Sequence, residues 1–155
     1  VDKRPDAEIR VGAALNALEA LENDLADMEA SIREADFTED VKLELRQGYD
    51  YIKLARKSVD RLFERIKPDP VSWLKSSKNR DSGREAMQPV IKFYREALSC
   101  LATAHMRAFR SMPHEWEHRR LWDRIYDDRM GSVDDLIRSA DRSFIVAGFQ
   151  PRKSD

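Results

Sequence analysis

The chain has 155 residues, with 28 Lys and Arg against 29 Asp and Glu, a formal net charge of −1, and one cysteine. A balance so close to neutral disfavours a general nucleic-acid binder, whose affinity comes from an excess of cations meeting phosphates, and a lone thiol excludes an intramolecular disulfide or a multi-cysteine zinc module. Hydrophobic residues make up 41% and charged residues 37%, with five Gly and six Pro, a composition suited to amphipathic helices and short of the turn residues that a sheet protein needs.

From 6 to 36 apolar residues recur in heptads. Val11, Leu18, Leu25 and Ile32 form one row; Ala14, Leu21, Met28 and Ala35 form the other, and Leu15 widens the stripe. Such paired rows predict a long first helix of roughly 45 Å with a seam for packing against a neighbour. Phe37-Thr38-Glu39-Asp40 supplies a cap and early acids for a second helix over 38–67. Its rows are Leu45, Ile52, Val59, Ile66 and Val41, Gly48, Ala55, Leu62. The short turn between the two requires an antiparallel hairpin, and Gly48 in the seam points to close backbone approach.

Pro68-Asp69-Pro70 ends the second helix, because proline cannot extend the ladder. Residues 68–88 read as a polar crossover loop, its start pinned by Trp73 and Leu74. A third helix is expected over 89–112, with Val90, Ile91, Tyr94, Leu98, Leu101, Ala104, Ala108 and Met112 on its apolar side and Cys100 beside it as a small hydrophobe. Pro113 opens a fourth helix over 113–130 that Gly131 closes. The fifth, over 132–147, starts at the capping-box-like Ser132-Val133-Asp134-Asp135 and carries Val133, Leu136, Ile137, Ala140 and Phe144. The expected fold is all-α: one helical bundle, of about five helices, in a single domain over 1–155.

The candidate chemistry lies near the fourth helix. All three histidines, His105, His114 and His118, fall between 105 and 118. His114-Glu115-Trp116-Glu117-His118 has the HExxH spacing, in which histidines four apart share a helix face and can both ligate zinc or another divalent transition metal while the glutamate polarises a bound water. His105 is the candidate third ligand and Glu115 the candidate base. Charged residues inside the motif and the absence of a strand pattern count against a hydrolase. Amphipathicity offers a plainer account, since His114 and His118 share a face with Leu121, Trp122 and Ile125, as core histidines do. No metal or other cofactor is therefore expected, a metal-binding bundle being the alternative.

Residues 107–114, Arg107-Ala108-Phe109-Arg110-Ser111-Met112-Pro113-His114, resemble the arginine-to-histidine motif of HEPN-type RNases, which are small helical bundles. The resemblance implies Arg107 stabilising a phosphate and His114 acting as acid or base. Next to it, Arg119, Arg120 and Arg124 interleave with Trp116, Trp122 and Tyr126, and a tryptophan off the apolar face amid arginines has the composition of an interface hot spot. The expected function is a non-enzymatic protein–protein interaction or assembly module that meets a protein partner or a second copy of itself. The long first hairpin, whose heptad seams can recruit further helices, or the face of Trp116, Arg119, Arg120 and Arg124 is its candidate contact surface, and a nucleoprotein subunit is a further alternative. No uncharged run approaches the ~20 residues of a membrane span, so a cytoplasmic protein without a membrane partner is expected.

Overall fold

The computed structural model describes residues 6–34, 37–111 and 119–148. Its elements are α1 (Asp6–Glu34), α2 (Glu39–Ile66), α3 (Pro70–Lys75), α4 (Ser77–Ser111), α5 (Arg119–Asp123), a π-helical segment (Arg124–Arg129) and α6 (Met130–Gly148), and no strand occurs among the described residues. The long helices pack in a ring, α1 on α2, α2 on α4, α4 on α6 and α6 back on α1, which leaves α1 diagonal to α4. Every neighbouring pair is antiparallel. Glu22 meets Arg56 while Glu29 meets Arg46, Arg65 meets Ser82 while Glu44 meets Arg107, and Arg10 meets Ser139 while Asp24 meets Arg129.

The heptad rows are the core. Val11, Ala14, Leu18, Leu21, Leu25 and Met28 of α1 are buried, as are all eight seam positions of α2; Ile32 and Ala35 lie outside the described side chains. Each large aliphatic side chain removed from water contributes about 1.5–3 kcal/mol, so these rows are the main reason the hairpin holds its place. Gly48 sits where α4 presses closest, a Cβ there lying 2.8 Å from Leu101 Cγ and 3.6 Å from the Ala97 carbonyl oxygen. On α4, Leu98 is not a core residue: it is exposed, and Ala97 takes the buried position.

Further local expectations need correction. The polar stretch 68–88 is not a loop but α3 and the first turns of α4. Asp69 caps α3 by accepting from the Ser72 amide at 3.2 Å, with Pro70 at the first helical position, and Ser76 Oγ accepts from the Asn79 amide at 3.2 Å. Asn79 and Arg80 then donate back to the terminal carbonyls of Trp73 and Leu74 at 2.8 and 2.7 Å, so the hydrophilic side chains satisfy a tight helical corner. Buried Leu74 and the edge-on contact of Trp73 with Phe144 at 6.2 Å anchor that corner. The helix expected to start at 89 therefore starts at Ser77, and Pro89 lies exposed inside it.

Gly131 does not end a helix either. The chain is helical without interruption from Arg119 to Gly148, with the π segment where a break was expected. Met130 N–H donates to the Ile125 carbonyl, five residues back. Asp134 pairs with Arg138 at 2.9 Å within this helix and caps nothing, and Thr38 stands at the N-cap of α2 without a side-chain hydrogen bond.

Candidate functional site

The described histidine, His105, projects from the last turns of α4 toward the helix that returns through α5 and the π segment. Its ring lies nearly parallel to Tyr126 at 4.5 Å and 4°, and to Trp122 at 5.6 Å and 12°. The π segment permits this arrangement: its wider turn holds Ile125 and Met130 in the core on either side while setting Tyr126 against α4. Burial lowers the His105 pKa, opposed by Asp123 and Asp127, so the ring is neutral near neutral pH. An uncharged imidazole stacks on aromatic faces without a desolvation cost for a cation.

On the other side of the same helix, Arg124 and Arg129 both reach Asp24 of α1, Arg124 at 3.8 Å. They help line a shallow groove of about 300 Å3 with Ala17, Asp128, Ser132 and Val133. Arg120 is exposed between the two flanks. Deeper in the bundle, the hydroxyl of Tyr94 donates to the Met130 carbonyl at the end of the π segment, and burial pushes its pKa up, keeping it a donor.

Arg107 faces away from His105 and reaches Glu44 of α2 at 3.6 Å. Cys100 is half-buried with its thiol toward Gln47 Oε1 at 3.9 Å. Burial and the nearby Glu44 raise its pKa, which disfavours the thiolate a nucleophile needs. Of the sequence-derived candidates, His114, Glu115, Trp116 and His118 lie outside the described residues, as does Met112. The Arg119 backbone begins α5, and its side chain is outside the described set. Among the described residues no group of three or more His, Cys, Asp or Glu could hold a metal ion, and no helix is long and apolar enough to cross a membrane.

The chain matches no family model, no curated protein and no solved structure. Its site must be read from its own residues.

One cluster escaped the sequence reading. Arg84 and Arg95 of α4 share a groove with Arg138 and Arg142 of α6. The usable signal was the helical spacing of 84, 88, 91 and 95, but assigning residues up to 88 to a loop split that face in two.

Proposed function

We propose that this protein is a non-enzymatic interaction module, a self-contained four-helix scaffold that meets a protein partner through the outer face of α5 and the π segment. The observation that carries this reading is exposed Arg120 and half-exposed Arg124 on a helix that the stack of His105 with Tyr126 and buried Trp122 holds fixed against α4. Arginine is enriched at interface hot spots through its planar fork of donors, and a helix already locked in place by a stack loses little entropy on binding. Closure of the heptad rows within the chain supports the same surface. The described seams of α1 and α2 are occupied by one another and by α4 and α6, so among the described residues the heptad rows are already covered. The acids Asp123, Asp127 and Asp128 among the arginines suit a polar, ion-paired rim.

A photo-crosslinking amino acid in place of Arg120 tests the reading in the cells that make the protein. It should yield a discrete adduct of one defined mass, whereas the same label in place of Lys57, on the exposed face of α2, should not. An adduct of twice the chain mass identifies the partner as a second copy. Equal labelling from both positions, or none from Arg120, removes the basis for the assignment.

A further inference from the structure

Antiparallel packing sets the first half of α4 beside the second half of α6, and there Arg84, Arg95, Arg138 and Arg142 line one groove of about 510 Å3. Several arginines elsewhere in the bundle are matched to carboxylates across helices, as Arg46 is to Glu29, Arg56 to Glu22 and Arg129 to Asp24, while others such as Arg65 and Arg80 meet a hydroxyl or main-chain carbonyls. Among the described residues of this groove Arg138 is ion-paired, with Asp134 one turn earlier on its own helix. Among the described residues Arg84, Arg95 and Arg142 have no carboxylate in ion-pair distance, and the groove's one acid, Asp141, pairs with none of them. Four guanidinium groups thus meet two carboxylates among the described residues, Asp141 in the groove and Asp134 on Arg138, in a chain whose net charge is −1. Like charges one turn apart on a helix, as Arg138 and Arg142 are, destabilise it unless an anion offsets them.

The guanidinium fork matches the paired oxygens of a phosphate, and arginines from two helices can grip adjacent phosphates from both sides. The groove's volume falls in the range of small-ligand sites, about 300–1,000 Å3, and Gln88 adds an amide donor to its wall. We propose that this groove is a binding site for a compact polyphosphate anion, the di- or triphosphate part of a nucleotide or a free oligophosphate. The half-buried Ile91 gives a nucleoside an apolar surface to lie on. Asp141 in the groove wall opposes a bare phosphate chain and can accept from a ribose hydroxyl or a base amine. The site is separate from the partner surface around Arg120, so either assignment can fail alone.

Isothermal titration of the full chain with ATP and with inorganic tripolyphosphate at low salt tests the site. Saturable binding of at least one is expected, weakened by at least about tenfold when Arg95→Gln and Arg142→Gln are combined, since each removes a charge-assisted contact. Lys57→Gln on the exposed face of α2 should leave it unchanged. Asp141→Asn separates the two sources: tighter tripolyphosphate binding with weaker ATP binding marks a nucleotide site, and tightening toward both marks an oligophosphate site. No saturable binding, or binding indifferent to the paired arginine substitutions, overturns the proposal. So does a single-stranded oligonucleotide that outcompetes both probes with an affinity growing with its length, because the groove would then be part of a longer polyanion track.

Discussion

A single methyl group distinguishes the glycines of this bundle. A Cβ on Gly48 would stand 2.8 Å from Leu101, and one on Gly83 would stand 2.6 Å from the ring of Phe144, whereas one on Gly131 meets nothing within 4 Å. Leucine Cγ and a buried ring cannot swing aside freely, so Gly48→Ala and Gly83→Ala should each lower stability by about 1–3 kcal/mol despite alanine's better helix propensity. Gly131→Ala should raise stability by about 0.4–1 kcal/mol through the unfolded chain. Urea denaturation midpoints measure all three; a stabilised Gly48→Ala would contradict the close α2–α4 approach. His105 makes a prediction in pH. Its folded pKa is lowered by burial, so below the unfolded value, near ~6.5, the unfolded chain takes the proton first. Stability is therefore complete above that value and declines as pH falls through it. In His105→Phe, which keeps an aromatic ring in the stack, stability measured between about pH 7.5 and 5.5 should decline less than in the parent. An unchanged decline would assign the acid sensitivity to other groups.

At the scale of whole elements, the spacing of buried residues accounts for the π segment. From Trp122 through Ile125, Met130, Val133, Ile137, Ala140 and Phe144 the steps are three or four residues except between Ile125 and Met130, where the step is five. A straight α-helix would turn the following residues out of the core, and the wider turn absorbs the surplus residue. Deleting exposed Asp128 should consequently restore an α-helix with the same buried face and cost little stability. Deleting Arg138 should rotate Ala140 and Phe144 by about 100° away from the core and abolish cooperative unfolding. Calorimetry of the two deletions decides it, and equal damage from both would mean that the π turn is not a register device. The five-residue step was present in the sequence, but Gly131 and the acids after it imitate a helix end and a new cap. The same physics hid the corner at α3 and α4. Asp69, Ser76 and Asn79 are loop-forming types by composition, and only their bonds and those of Arg80 to main-chain groups around α3 and α4 reveal them as caps and ties. The heptad rows of α1 and α2 were legible because burial on a long helix imposes a period that no loop reproduces.

For the molecule as a whole, the sequence carried the helical class and the N-terminal hairpin but not the ring of four, since which helix fills a seam is a property of all of them together. The candidate surface near His105 was legible as composition. Its geometry was not, because the partners of His105 lie more than a dozen residues away, across a connection whose length does not dictate direction. The arginine groove is a purely tertiary feature, built from two helices that meet only after the ring has formed. That ring has a consequence for how the chain reaches it. Three of its interfaces join long helices that follow one another along the chain, and only the seam of α1 with α6 joins the first to the last. Local hairpins can form early at small loop-closure entropy, and closing the last seam adds only a term logarithmic in the intervening length. The result is a low contact order, which places folding in the microsecond-to-millisecond regime of helical bundles and makes docking of the final helix the step that commits the chain.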